Sequence, residues 1–345
     1  MVHSAYNIGM IEWDNALRIS GGGDAEALYL DSRKARARSF VSHAHTDHIA
    51  PHGQIIATPQ TIDLAALRTK VDRDRAISLS LGQEHVLDAR TRVRLHSAGH
   101  VLGSAMIHLT NDRGSLLYTG DFRLRESLTV PIAQPVHADV LIMETTYGKP
   151  AFRFPPRNAV ATQLLEIVAE AMREGIQPIV MGYSLGKAQE IVRILTDGGF
   201  TVTEHGAVSD LTDVYQQHGV TFGTRRRYRA VDFKGKKTLP LEERGVLVAP
   251  PSVARSGFID HFDKKVTIMC SGWSLLKGAK FRFGVDHALP ISDHADFDEL
   301  LEMVERVNPK KVLTLHGYEQ FVDTLRGRGI NADLARPDPQ LRLFE

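Results

Sequence analysis

The 345-residue sequence holds a single cysteine, Cys270, so an intrachain disulfide is excluded and packing must hold the fold together. Cys270 lies in the apolar stretch 267–270 and reads as a buried structural thiol, not a nucleophile. With no secretory leader at the N-terminus, this cysteine usage predicts a reducing compartment, the cytoplasm. Long apolar runs are also missing. None approaches the ~20 residues that a membrane helix needs, so no membrane partner is expected. Charge of one sign is lacking too: 42 Lys and Arg face 41 Asp and Glu, a net charge of +1. Attraction to an acidic partner would have to come from local patches. Internal repeats and low-complexity tracts are absent. The length exceeds what one compact core usually serves, which predicts two domains.

What the sequence does have is histidine. The densest run is Ser42-His43-Ala44-His45-Thr46-Asp47-His48, directly after the apolar-ended segment 38–41. In extended backbone alternate side chains point the same way, so His43 and His45 can reach one metal together. Asp47 and His48 follow where the chain is expected to enter a helix, which aims them at a neighbouring point. Imidazole and carboxylate are the donors that zinc takes. A lone histidine is usually a surface or core residue, but this spacing after a strand predicts two adjacent metals.

Further chemistry sits at other predicted strand ends. His100 lies between Gly99 and Gly103, in a loop whose glycines allow close backbone approach. His96, inside the preceding strand, reads as structural. Asp121 follows the strand 115–119 and a glycine. Glu144 ends the apolar strand 139–143, where a carboxylate needs a partner to be buried. His294 precedes an amphipathic helix at 297–307, and His316 ends the strand 311–315. The strand-end set is His43, His45, Asp47, His48, His100, Asp121 and His316. These five imidazoles and two carboxylates suffice for two Zn2+ ions, with Mn2+ a poorer fit. His43, His45 and His100 would hold the first, Asp47, His48 and His316 the second, and Asp121 would bridge. Paired metals activate a water for displacement at phosphorus. His294, oriented by Glu144, is the candidate acid for the leaving oxygen.

From residue 155 the pattern changes to α/β: a helix at 160–173, a strand at 178–182, then a second helix opened by Ser184. Ser184 reads as its N-cap, and the free amides there together with Lys187 would suit a phosphate. Residues 224–237 carry Arg225, Arg226, Arg227, Arg229, Lys234, Lys236 and Lys237, interleaved with Tyr228 and Phe233. Such a run reads either as a solvated loop or as a contact to a phosphate backbone, with the aromatics available for base stacking.

Once these residues are assembled, the sequence resembles the metallo-β-lactamase-fold hydrolases, and among them the β-CASP nuclease group. Residues His43 to His48, His100 and Asp121 match the superfamily's metal motifs. Glu144, His294 and His316 fall on the three further motifs of the β-CASP branch, and the segment 182–190 resembles the opening of its cap. The resemblance covers nearly the whole chain. It implies an α/β fold: an αββα sandwich formed by residues 1–155 and 277–345, with an α/β β-CASP cap inserted at 156–276. Nucleic acid would thread the cleft between them.

Several stretches are similar to bacterial exonucleases associated with DNA ligases: TEHGAV, LVAPPSVARSG, SGW, SDHADF and LHGYEQFVDTLRGRGINA. They imply a metal-dependent DNA exonuclease of repair or end processing, favouring single-stranded DNA and associated in function with a DNA ligase or helicase. His316 as a ligand is typical of the RNA-processing members, so an RNA-processing endo- or exoribonuclease is the alternative. Glu144, His294 and the insert weigh against a small-molecule hydrolase. The filled ligand positions weigh against a non-catalytic binding subunit.

Overall fold

The computed structural model describes residues 4–6, 9–13, 16–20, 27–233, 238–260 and 262–335. The chain divides into two compact units. The first combines Met1–Glu126, Val130–Phe152 and His294–Glu345; the second combines Ser127–Thr129 and Arg153–Asp293.

In the first unit seven strands follow one another across a sheet: β1 (Ser4–Tyr6), β2 (Gly9–Trp13), β3 (Leu17–Ser20), β4 (Leu28–Leu30), β5 (Arg38–Phe40), β6 (Gln54–Ala57) and β7 (Ile77–Ser78). β3 and β4 pair antiparallel, and the residues that join them, 21–26, lie outside the described residues. Helix α1 (Pro59–Ala66) follows β6 and is capped by the Thr58 hydroxyl.

A second sheet begins with β8 (Glu84–Val86), β9 (Arg92–Ser97), β10 (Ala105–Asn111), β11 (Gly114–Tyr118) and β12 (Val140–Glu144). In β9 the side chains alternate, with Val93, Leu95 and Ser97 buried and Arg92 and Arg94 exposed, the pattern of a half-buried strand. β12 is buried along its whole length, as a central parallel strand must be.

The second unit follows with β13 (Gln177–Met181), β14 (Val202–Glu204), β15 (Arg225–Arg227), β16 (Val246–Ala249), β17 (Lys265–Cys270) and β18 (His287–Leu289). All pair in parallel, in the order β15-β14-β16-β13-β17-β18. Its helices are α2 (Arg157–Arg173), α3 (Lys187–Asp197), α4 (Gly206–Gln217), α5 (Leu241–Arg244) and α6 (Ala279–Phe283). α2 buries Val160, Leu164, Val168 and Ala171, one helical face. One apolar cluster packs Val160, Leu164 and Val168 against α3 and Val180, Val248 and Ile268 of the sheet; a second, with Met181, Leu247 and Phe262, includes the alternate residues of the same strands. The unit runs past residue 276 to Asp293 because β18 completes its sheet.

The chain then returns to the first unit with α7 (Phe297–Val307), β19 (Lys311–Leu315), α8 (Glu319–Gly327) and β20 (Ala332–Leu334). β19 enters the second sheet parallel to β12, with Leu315 opposite Glu144, so residues from both parts of the chain finish side by side. One apolar cluster joins the two sheets through Leu28, Phe40 and Ile56 on one and Leu95, Ile107 and Ile142 on the other. The opposite face of the second sheet, with Met106, Leu117 and Leu141, packs on α7 and α8 through Leu300, Val304, Phe321 and Leu325. Leu300 is fully buried there. Leu300→Ala is expected to cost about 2–5 kcal/mol of stability, read from a urea unfolding midpoint. A change below ~1 kcal/mol would show that the α7 face is not packed as described.

Candidate metal centre

Every residue of the candidate centre hangs from a strand end of the first unit. After β5 the chain runs through Ser42, which Asp31 grips twice: Asp31 Oδ1 accepts the Ser42 amide at 2.7 Å and Oδ2 its hydroxyl at 2.6 Å. Asp31 itself has φ 45°, a left-handed conformation that Asp tolerates better than most residues. Residues 46–48 form a turn closed by the His48 amide donating to His45 O at 3.0 Å. The expected helix start is absent; the turn alone redirects His48.

Two glycines let the other loops approach. Gly120 has φ 54°, and a Cβ there would fall 2.5 Å from Ser42 Cβ, so only glycine lets the end of β11 pass the His43 loop and deliver Asp121. Gly99, at φ 71°, lies so close to Arg123 O that a Cβ would sit 2.3 Å away. That approach sets the loop of His100, whose amide is held by Ser104 Oγ at 3.0 Å.

The ring nitrogens and carboxylates converge. His43 Nε2 lies 2.9 Å and His100 Nε2 3.2 Å from His45 Nδ1. Asp121 Oδ2 is 3.5 Å from His43 Nε2, 3.5 Å from His48 Nε2 and 3.9 Å from His100 Nε2. Ligands held tetrahedrally at zinc distances lie about 3.3–3.5 Å from one another. The donor set His43, His45, His100 and Asp121 matches that requirement, with all ligand atoms within 4.8 Å.

The second set is looser. His48 Nε2 lies 3.8 Å from Asp47 Oδ2, but the Asp47 side chain is 55% exposed and also 3.6 Å from Arg33. The His316 ring centroid stands 6.1 Å from that of His48. His316 has φ 51°, a strained setting for a non-glycine residue and one that clusters at functional sites. Thus His316 is brought to His48 from the far end of the chain, while Asp47 stays at the rim.

Asp31, which the sequence reading passed over, supports both sets. Its Oδ2 accepts from His48 Nδ1 at 2.9 Å and from the Tyr118 hydroxyl at 2.7 Å, besides Ser42 Oγ, which in turn faces His43 Nδ1 at 2.9 Å. With Nδ1–H committed in both rings, Nε2 is the nitrogen presented to a metal. The signal was available: like Asp121, Asp31 is an aspartate at the end of an apolar strand.

Burial, with help from the neighbouring imidazoles, holds His43 well below the usual histidine range, in the neutral form that ligation requires. Burial opposes charge on His48, but Asp121 and Asp31 outweigh it and push its pKa up to about 10. Burial raises Asp121 against the pull of His48. Beside this centre, His294 Nδ1 donates to Glu144 Oε1 at 2.9 Å. The amides of Phe122 and Thr146 donate to the same carboxylate at 3.2 Å each. Burial works against the Glu144 charge, yet His294 and these hydrogen bonds hold its pKa below the usual value. His96 takes no part; it sits in β9 with its ring 5.9 Å from His108.

Residues 279–334 match the family model RMMBL, the Zn-dependent metallo-hydrolase RNA specificity domain. The chain is 40% identical over 318 residues to a probable DNA ligase of Opitutus terrae, covering 91% of this chain and 30% of that protein. It is 26% identical to RNase aCSPSF2 of Saccharolobus solfataricus, covering 84% and 70%, and 24% identical to an RNase J-like protein of Methanocaldococcus jannaschii, covering 82% of each. The chain belongs to the metallo-β-lactamase β-CASP nuclease family. It spans less than a third of the Opitutus ligase.

In this β-CASP chain the residues expected to touch nucleic acid are otherwise engaged. Lys187 is buried, and its Nζ donates to Asp293 Oδ1 at 2.5 Å, so it is no phosphate ligand. Gly186, not Ser184, is the N-cap of α3; Ser184 O instead accepts from Gln189 Nε2 at 3.0 Å. The first three arginines of the basic run form the edge strand β15, not a loop, and each meets a carboxylate of its own unit. Arg225 pairs with Glu204 at 2.6 Å and Asp213 at 2.5 Å, Arg226 with Asp232 at 2.9 Å, and Arg227 with Asp210. Those charges are balanced internally, which removes the reason to place a phosphate on them. Lys234, Lys236 and Lys237 lie outside the described residues. Cys270 is buried, and burial pushes its thiol up to about 12, as a structural cysteine requires. Among the described residues no helix is long and apolar enough to cross a membrane.

Asp31→Asn keeps a side chain suited to the left-handed backbone but removes the charge. Zinc affinity, measured by competition with a chromogenic chelator, is expected to fall about 10–100-fold. An unchanged affinity would remove Asp31 from the support of the centre.

Proposed function

We propose that the chain is a two-metal nuclease that hydrolyses phosphodiester bonds, acting at the ends of DNA strands in repair or end processing. The observation that carries this reading is the position of Asp121 Oδ2, 3.5 Å from both His43 Nε2 and His48 Nε2, where one carboxylate can serve two metal sites. His43, His45 and His100 would hold one metal, His48, Asp47 and His316 the other. Zinc, or manganese on the same mixed donors, would supply Lewis acidity for a water and for charge at phosphorus. The facing sheets with α7 and α8 behind the second support an αββα sandwich, interrupted by a β-CASP insert.

His294 is assigned the leaving-group proton. Its Nδ1–H is committed to Glu144, so the proton given to the departing oxygen comes from Nε2. Glu144, buried and charged, stabilises the imidazolium until that transfer. The ligase relative favours DNA and a functional link to a ligase, and the single, buried cysteine fits the cytoplasm. The RMMBL match and the RNase relatives support a second reading, RNA processing by the same centre.

Product analysis on end-labelled single-stranded DNA and RNA, with zinc and manganese compared, separates the two. Single nucleotides released from DNA alone are expected; degradation confined to RNA would replace the first reading by the second. Asp121→Asn is expected to weaken metal binding and abolish hydrolysis while the chain folds, and wild-type turnover would take Asp121 out of the centre. His294→Ala should retain metal and lose about 10²–10⁴-fold in kcat. Metal loss in that variant would make His294 a ligand instead of an acid.

A further inference from the structure

If β15 offers no free cations, the second unit must meet a polynucleotide elsewhere, and its sheet topology indicates where. From β13 the chain passes β16 to reach β14, whereas from β16 it crosses β13 to reach β17. Connections that diverge in this way leave a crevice at the carboxyl ends of the strands, where open α/β sheets bind ligands. A cavity of about 270 Å³ lies at those ends. It is lined by Tyr183 after β13, Ser252 after β16, Met269 and Ser271 at the end of β17, and Trp273 and Phe283 beyond it. Sites for small organic ligands start near ~300 Å³ and combine aromatic walls with a few polar groups. This cavity has room for one planar base, three aromatic rings to flank it and two serine hydroxyls, and it is far too small for a duplex.

The segment that supplies Trp273 and Phe283 also carries Lys277, Lys280 and Arg282, all exposed. Among the described residues none of the three has a carboxylate partner, in contrast to Arg225, Arg226 and Arg227. Phe281, between the last two, is 80% exposed, and Tyr183 is 57% exposed. Lys280 lies over the Phe281 ring at 5.0 Å and Lys187 over the Tyr183 ring at 5.1 Å. Cations without carboxylates interleaved with exposed rings are what single strands bind: phosphates on the cations, bases on the rings.

We infer that this cavity takes one unpaired nucleobase of a single-stranded polynucleotide, with Lys277, Lys280 and Arg282 holding the neighbouring phosphates. The inference rests on the nuclease reading for its substrate class, and binding tests it without hydrolysis. Full-length protein in EDTA would be titrated into fluorescein-labelled oligothymidylate and oligouridylate, with anisotropy read over a range of salt. Joint replacement of Lys277, Lys280 and Arg282 by Ala is expected to lower the slope of log affinity against log salt by about 2, at ~0.7 per cation. Tyr183→Ala, at an exposed position the fold does not need, is expected to weaken binding roughly tenfold with the slope unchanged. Thermal melts of both variants should match the wild type.

Folded variants with wild-type slope and affinity would overturn the inference. If the wild type degrades strands and the variants still bind as it does, the cavity assignment alone falls. If the variants lose binding as expected but wild-type protein with zinc never cleaves, the nuclease reading alone falls.

Discussion

A carboxylate cannot be taken out of water without donors or a counter-charge, and the first unit buries three of them around one point. The side chains of Asp31, Asp121 and Glu144 are 4%, 11% and 2% exposed. Each is set against imidazoles: Asp31 against His48, Asp121 against His43 and His48, Glu144 against His294. Neither partner could stay buried without the other, so the strand ends that carry them are tied to one another. Divalent cations are a second way of balancing the same charges, and the same arrangement that stabilises the fold groups donors that could hold a metal.

Such balance depends on how the scaffold ends its strands. The parallel pair β12 and β19 places Glu144 opposite Leu315, the residue before His316, although 171 positions separate them in the chain. Antiparallel hairpins could not do this; a parallel pair needs a long crossover, and here the crossover is the whole second unit. Inserting a unit at that point leaves the register of the centre untouched, because the register is set by the sheet and not by the length of chain between its strands.

The second unit shows how charge in a sequence can mislead. Arg225, Arg226 and Arg227 are consecutive and look like a basic patch, yet an edge strand sends alternate side chains to opposite faces. There they meet Asp210, Asp213, Glu204 and Asp232, carboxylates contributed by β14, α4 and the turn after β15. Lys277, Lys280 and Arg282 are spread more thinly and attract less attention in the sequence, but among the described residues no carboxylate pairs with them. Whether a cation is available to a partner depends on what the fold places beside it.

The sequence by itself determined the chemical inventory. Periodicity located α7 and the buried strands, and the H-x-H-x-D-H run with strand-end His100, Asp121 and His316 named a metal centre, because both signals are local in the chain. It also marked the pairing of His294 with Glu144, since a carboxylate ending an apolar strand requires a partner. Tertiary structure alone decided three things. It chose Asp31 as the common support, left Asp47 exposed at the rim, and turned Lys187 inward onto Asp293. Each of these turns on which group stands within a few ångströms of another, and electrostatic pairing in a desolvated interior depends on that distance and not on separation along the chain.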